Sequence, residues 1–464
     1  MSASEILQPL CQYVIPHPTA QKILLIQRED NTWTLPEIML INEGDDYYDY
    51  YMFGMQIQHV VDFEVLNLYQ AQCIFHDDLN QMRWVYVTDN IKNRYELPIN
   101  GQWVSHAELN QVIFSEEHIQ AIIERYFTEI ETGIVPIERV PWAIQGWQAQ
   151  AFRWIDAQLE QLNVALIRDI ELVRVWCITA LYRVPTTNGD LYFKAVPPTF
   201  AREIGITRWL YQQMPEHTPE VVAFDESQHF LLMRDFEADV LREIKQGDDL
   251  SIYEIALTEF ATIQRMTIGQ EQTLLALGAL DYRLEQLMPK FKAFLADDNF
   301  FGIDHRMPQT DIDAILAAIP TIQAHIERLI AMDLPTTILH SDFHTGNVAI
   351  RGNKAIIFDW TDASIGLPIF DFTTFAFDLN DTFKDQPDTI QHLREVYFRA
   401  LSDDGDIAQW QDAFTSSRII SLVMQCANYH HLLRTAEPNE RWVLNFLPQL
   451  IKGILNELKP DKTV

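Results

Sequence analysis

Cations are scarce in this chain of 464 residues: 34 Lys and Arg stand against 66 Asp and Glu, a formal net charge of −32. Nucleic-acid binding depends on clustered basic side chains, so nucleic acid is not an expected partner. The acid excess is spread along the chain and not gathered in a tail, which serves solubility first and the attraction of a cationic small molecule second. Only 4 cysteines occur, Cys11, Cys73, Cys177 and Cys426, without paired spacing, which argues against a disulfide framework and against a zinc site. They read as small buried hydrophobes. No apolar run approaches the roughly 18 residues of a spanning helix, and the opening MSASEILQPL lacks the cationic start and apolar stretch of a secretory signal. A membrane partner is therefore not expected, and a cytoplasmic location is. What is present, 48% hydrophobic and 22% charged residues, is ample for two or three packed cores.

Patterning along the chain divides it at 133/134 and at 235/236. Residues 1–133 carry short β-rich runs at Lys22 to Gln27, Val65 to Ile74 and Met82 to Val87, then an amphipathic pattern from Ser115 to Thr132, which predicts an α+β domain. The stretch Gly133 to Pro141, with two prolines and no periodicity, reads as a linker. In residues 134–235 the apolar, β-branched run Val173 to Val184 and the run Leu191 to Val196 flank the turn sequence Thr186-Thr187-Asn188-Gly189-Asp190, a hairpin signal. Pro197 and Pro198 end the second strand, Thr199 is placed to cap a helix over 200–213, and His229 to Met233 reads as a last strand. Residues 236–464 turn mainly helical, with patterns at Ser251 to Met266, Leu277 to Leu295 and Asp311 to Ile330, and again between Asp388 and Leu458.

Chemistry concentrates in LHSDFHTGNV, Leu339 to Val348, and KAIIFDWTDA, Lys354 to Ala363. Between them Arg351-Gly352-Asn353-Lys354 is a turn flanked by apolar runs, which predicts a β-hairpin with Ile350 facing Ala355 and Val348 facing Ile357. That register brings Asn347 and Asp359 to the open end, where two side-chain oxygens can share a hard cation such as Mg²⁺, with water and phosphates completing its shell. Asp342 on the preceding loop is placed to accept or orient a substrate hydroxyl in phosphoryl transfer. His340 and His344 read as braces for the loop. A transition-metal site built on His-x-Asp-x-His is the alternative. Upstream, Lys194 sits on a strand and Glu203 on the first turns of the following helix, spaced to form an ion pair that would serve nucleotide phosphates.

These residues resemble the His-x-Asp-x-x-x-x-Asn and Ile-Asp-Trp signatures of the aminoglycoside phosphotransferase and choline kinase family, relatives of protein kinases. Ser341, Phe343 and Thr345 stand where that family often has Gly, Leu and Pro, which removes no reactive group. The resemblance implies a bilobal, protein kinase-like fold with a small β-rich lobe and a large helical lobe, and ATP and Mg²⁺ as cofactors. It implies Asp342 as the catalytic Asp, Asn347 and Asp359 as metal ligands, Lys194 and Glu203 at the phosphates, the backbone near Met233 at the adenine, and Asp371 in a structural role. Asn428, Tyr429 and His430, polar and aromatic on a late helix, are candidates for acceptor contact, with inter-helix packing as the alternative. The loop around Trp176 to Ala180 contains no glycine, where a close phosphate cradle would use one. In the first domain, KILLIQREDNTWTLPE and QWVSHAEL are similar to strand and loop sequences of Nudix hydrolases. The Arg-Glu-x-x-Glu-Glu helix of a Nudix box is missing from Asp45 to Asp62, so a Nudix-like but non-hydrolytic module is expected.

The expected activity is ATP-dependent transfer of the γ-phosphate to a hydroxyl of a small molecule. A nucleotide-binding pseudokinase or scaffold, and a protein Ser/Thr kinase-like enzyme, are the competing readings. The latter lacks any Asp-Phe-Gly to Ala-Pro-Glu pattern. No motif here encodes the identity of the acceptor or the oligomeric state.

Overall fold

The computed structural model describes residues 10–39, 57–63, 65–76, 81–91, 93–244, 250–297, 299, 307–383, 386–402, 405–438, 441 and 445–459. The chain is mixed α+β and divides into two compact units. The first comprises Met1–Ala165, Ile170–Tyr182 and Thr435–Val443; the second comprises Leu166–Asp169, Arg183–Arg434 and Leu444–Val464.

In the first unit the β runs fold where expected, as strands Lys22–Gln27, Leu66–His76 and Gln81–Asp89, and the amphipathic segment forms the helix Glu117–Thr132. Leu10–Val14 runs parallel to Gln81–Asp89 and antiparallel to Glu37–Met39. A core of Cys11, Tyr13, Ile15, Leu24, Trp84 and Tyr86 closes around them. Asp45, Asp46 and Asp49, expected to solvate a helix start, lie outside the described residues. The helix Glu117–Thr132 ends at Gly133, whose φ of 67° is the left-handed conformation glycine adopts without strain. Beyond it the linker is pinned at Arg139, which donates to Glu437 at 2.7 Å and to Glu129 at 3.3 Å, with its guanidinium carbon 3.3 Å from the Tyr69 ring centre.

Two sequence expectations near the unit boundary need correction. Val173 to Val184 is not one strand: Glu171–Trp176 and Thr179–Thr186 are separated by a turn at Cys177 and Ile178. The break falls within Trp176 to Ala180, the stretch read as a loop from the family resemblance, and composition alone does not mark it because it reports burial and not chain direction. Thr199 does not cap the helix; it lies in a short 3₁₀ turn, Pro198–Phe200, that the two prolines start, and the helix runs Arg202–Gln213.

In the second unit, strand Phe230–Arg234 lies between Val221–Asp225 and Gly189–Ala195, antiparallel to both. The hairpin Val348–Arg351 and Lys354–Ile357 has the expected register, Ile350 opposite Ala355 and Val348 opposite Ile357, turning at Gly352 with φ 64°. Of the helices, Ser251–Met266 has the expected bounds, whereas the pattern Leu277 to Leu295 is helical only over Leu284–Leu295. Leu280–Asp281 is instead a strand, paired in parallel with Ser364–Gly366. Gln309–Ala331 is more apolar than the sequence reading allowed, with a mean hydropathy of 1.2 over an 18-residue window, long enough by length and composition for a span. It is amphipathic: Ile312, Ile315, Ile322, Ile326 and Leu329 are buried, while Arg328 is exposed and pairs with Asp412 at 2.5 Å.

Arg139 is 4% exposed, and removing it strands the Glu129 and Glu437 carboxylates. Arg139→Ala should lower the unfolding free energy by about 3 kcal/mol in chemical denaturation. A loss within experimental error of zero would show that both acids reach water once the arginine is gone.

Candidate active site

Alternation along the strand Gly189–Ala195 places Lys194 opposite Leu231 with its side chain only 7% exposed. A lysine so buried needs anionic partners. Its Nζ donates to Glu203 Oε1 at 2.6 Å and to Asp359 Oδ1 at 2.7 Å. Burial pulls the ammonium's pKa down, but Asp359 and Glu203 more than offset this and hold it above its ordinary value. Burial pushes the Glu203 carboxyl up to about 7 against the pull of Lys194. Burial pushes Asp359 up as well, yet Lys194 and the Thr361 hydroxyl at 2.9 Å hold it at about 2.

Asp359 lies two residues beyond the hairpin strand Lys354–Ile357 and takes φ 66°, a left-handed conformation that is strained for a residue with a β-carbon. Around it the chain is tied down: Phe358 N–H donates to the Asn347 carbonyl at 3.1 Å, and His340 Nε2 donates to the Phe358 carbonyl at 2.9 Å. Burial lowers the His340 pKa, and the ring braces the loop through the Phe358 carbonyl.

The loop carrying Asp342 is built on a second buried acid. Asp371 accepts the backbone N–H of His340 at 2.9 Å and of Ser341 at 2.8 Å, and the Gln264 amide at 3.2 Å. Burial pushes Asp371 up to about 7, with the two backbone donors pulling against it. These bonds stabilise Ser341 at φ 65°, and Gln425 Nε2 fixes the Ser341 carbonyl at 2.5 Å. Phe343 anchors the same loop from below, stacked on Phe260 with ring centres 3.9 Å apart.

Asp342 emerges from this frame with its side chain 48% exposed. Asn347 Nδ2 donates to the Asp342 carbonyl at 3.0 Å and lies 3.3 Å from its Oδ2. His344 Nδ1 accepts the Gly346 N–H at 2.9 Å, which leaves the proton on Nε2, 3.4 Å from Asp342 Oδ2. Arg242, which the sequence reading did not select, sits 3.1 Å from both His344 Nδ1 and Asp378 Oδ1.

With its amide nitrogen turned to Asp342, Asn347 has Oδ1 without a donor among the described residues, and Asp359 keeps Oδ2 free of Lys194 and Thr361. One amide and one carboxylate oxygen at the hairpin's open end suit a hard divalent cation that takes its other ligands from phosphates and water. Among the described residues no group of three or more His, Cys, Asp or Glu forms a metal cluster. The donor set is therefore not that of a protein-only transition-metal site.

The remaining candidates part ways. Asn428 Nδ2 donates to Asp362 Oδ1 at 2.8 Å and accepts from Tyr282 Oη at 3.2 Å through its own Oδ1. Tyr429 packs on Phe446, and burial followed by the charges of Asp342 and Asp362 raises its pKa. His430 turns to Asp297, 3.0 Å away. Met233 lies buried within the sheet, opposite Tyr192 on one side and Val221 on the other. Asp362 was missed; its only sequence signal is its position three residues after Asp359.

Residues 178–411 match the profile of the phosphotransferase enzyme family. No curated protein matches the chain. Among solved structures, a choline kinase from Streptococcus pneumoniae is similar at 10% identity and TM-score 0.46, covering 66% of this chain and 99% of that one. A choline/ethanolamine kinase family protein from Mesorhizobium loti is similar at 16% identity and TM-score 0.46, covering 67% and 96%. The GDP and kanamycin complex of APH(2")-IIIa is similar at 12% identity and TM-score 0.47, covering 65% and 98%.

Asp371→Ala would strand two buried N–H groups and release Ser341 from its strained conformation. The substitution should cost about 3 kcal/mol, read by urea denaturation. Unchanged stability would mean that the His340–Asp342 loop is held by Gln425 and Phe343 alone.

Proposed function

Because the chain belongs to the phosphotransferase enzyme family, we propose that it transfers the γ-phosphate of ATP to a hydroxyl group of a small molecule. It is a phosphotransferase acting on hydroxyl groups; the nucleotide, the metal and the acceptor class are the proposed part. The observation that carries the reading is the buried Lys194 ammonium held between Glu203 and Asp359, in the same unit as the loop bearing Asp342 and Asn347.

In this reading Asp342, half exposed and oriented by Asn347 and His344, accepts a hydrogen bond from the acceptor hydroxyl and takes its proton as the oxygen attacks the γ-phosphorus, whose bond to the β,γ-bridging oxygen breaks to release ADP. Lys194 faces the nucleotide phosphates. Asn347 Oδ1 and Asp359 Oδ2 are the oxygens that would hold Mg²⁺, which when bound supplies charge neutralisation for the phosphates. The backbone near Met233 remains the candidate for adenine contact, and Asn428, Tyr429 and His430 for acceptor contact.

The division into 1–133, 134–235 and 236–464, the last two forming a bilobal kinase-like pair, belongs to the same proposal. For the first domain we propose a Nudix-like fold without hydrolytic function, supported by the strands Lys22–Gln27 and Trp33–Thr34 in the segment that carries the resemblance. Cytoplasmic action on a small molecule, cationic or neutral, with no nucleic acid or membrane involved, accords with a net charge of −32.

The test is ATP consumption with Mg²⁺ over aminoglycosides, amino alcohols, sugars and nucleosides. Acceptor-dependent turnover is expected in the wild type. Asp342→Ala should lower kcat by about 10³-fold or more with the thermal midpoint and ATP binding retained. Turnover preserved in the variant removes Asp342 from the mechanism. ATP binding without turnover on any acceptor supports the scaffold reading, which the glycine-free turn at Cys177 and Ile178 favours.

A further inference from the structure

Asp362 has no part in the chemistry assigned above, yet the structure holds it with care. Tyr282, 2% exposed, donates its only hydroxyl proton to Asn428 Oδ1, and this fixes which way the amide of Asn428 faces. Asn428, 5% exposed, then presents its Nδ2 to Asp362 Oδ1 at 2.8 Å. Two buried residues thus end in a carboxylate that is itself half-buried and not sealed.

The opposite oxygen of that carboxylate is poorly used. Among the described residues Asp362 Oδ2 has only the Thr361 hydroxyl at 3.4 Å, and that hydroxyl lies closer to Asp359, at 2.9 Å. The neighbouring cation does not close on it either: Arg202 donates through Nη1 to the Thr199 carbonyl at 2.6 Å, while its Nε and Nη2 are buried without a hydrogen-bond partner among the described residues. No lysine or arginine forms an ion pair with Asp362 among the described residues. Asp342 lies near enough for its negative charge to disfavour ionisation of Asp362, second only to burial in effect. One helix sets both acids, Gln425 holding the Ser341 carbonyl beside Asp342 and Asn428, three residues on, holding Asp362, and two carboxylates so placed repel unless a donor comes between them.

We infer that Asp362 is a specificity-determining residue that receives a hydrogen bond from a second N–H or O–H group of the acceptor while the reacting hydroxyl is aligned on Asp342. The inference rests on the phosphotransfer reading and extends it: the acceptor carries two polar groups close together, and the Tyr282–Asn428 pair positions the carboxylate that reads the second. An ammonium and a vicinal hydroxyl share this chemistry. They are separated by comparing 2-aminoethanol and ethylene glycol derivatives of each active acceptor, whose loss in the variant identifies the donor.

Asp362→Asn keeps the shape and removes the charge. With the acceptor turned over best by the wild type, its KM for acceptor should rise by about 10-fold or more, kcat should change by less than about 3-fold, and KM for ATP and the Mg²⁺ requirement should not move. A raised Mg²⁺ requirement would make Asp362 a metal ligand and overturn the inference, as would kinetics identical to the wild type. Should Asp362→Asn fail to fold, Asp362→Glu keeps the charge and Asn428's partner while advancing the carboxylate by one methylene. It should change the ranking of kcat/KM among acceptors, and an unchanged ranking overturns the inference. A wild type that turns over no acceptor sinks the phosphotransfer reading and this inference together; a wild type that does, matched by both variants, sinks the inference alone.

Discussion

Lys194 has left water for two carboxylates that come from different parts of the chain, Glu203 nine residues on and Asp359 far beyond, and this exchange ties strand, helix and hairpin end to one point. Taking an ammonium out of water costs several kcal/mol, which is recovered only if both acids are in place. The helix Arg202–Gln213 cannot shift without stranding Glu203, nor can the hairpin end move without unpairing Asp359. Such an arrangement is an inefficient way to gain stability, since apolar side chains of like volume would do as well. Its value lies in fixing the positions of charges.

A second buried acid does for the backbone what Lys194 does for charge. Asp371 gathers two successive N–H groups, and the Gln264 amide that joins them also accepts the Tyr397 hydroxyl at 2.6 Å. Ser341 can then hold φ 65°, because its N–H, carbonyl and hydroxyl all have partners: Asp371, Gln425 and Ser364. Strain at Ser341 and Asp359, on either side of Asp342 and Asn347 in the chain, is thus held by buried hydrogen bonds and not by the exposed residues themselves.

What was legible in the sequence was what depends on near neighbours. The hairpin register followed from two apolar runs and a glycine turn, and the Lys194–Glu203 pair from a strand, two prolines and a helix start in succession. The elements Lys22–Gln27 and Ser251–Met266 followed from periodicity alone. Contacts that join distant segments left no local mark. Arg139 reads as a linker residue until Glu437, 298 positions away, is seen beside it, and Asn428 reads as helix polarity until Asp362 and Tyr282 meet it. The turn at Cys177 and Ile178 was marked by the family resemblance, which puts a loop at Trp176 to Ala180, and not by composition, since the residues on both sides of it are of strand-forming types.

Burial sorts the acids of the site more finely than residue type does. Glu203 and Asp359 share one lysine at nearly equal distance, 2.6 and 2.7 Å, yet one is held at about 7 and the other at about 2. The Glu203 side chain is 3% exposed, and Lys194 is its sole hydrogen-bond donor among the described residues; Asp359 is 39% exposed and has the Thr361 hydroxyl as a second donor. A sealed carboxyl with one partner pays the full desolvation of its charge, whereas an open one with two donors keeps its charge into acid. Of the two, only Asp359 is open to solvent while keeping an oxygen without a donor among the described residues. Glu203 is confined to holding the lysine, so a single ammonium, shared unequally, separates a structural acid from an acid available for chemistry.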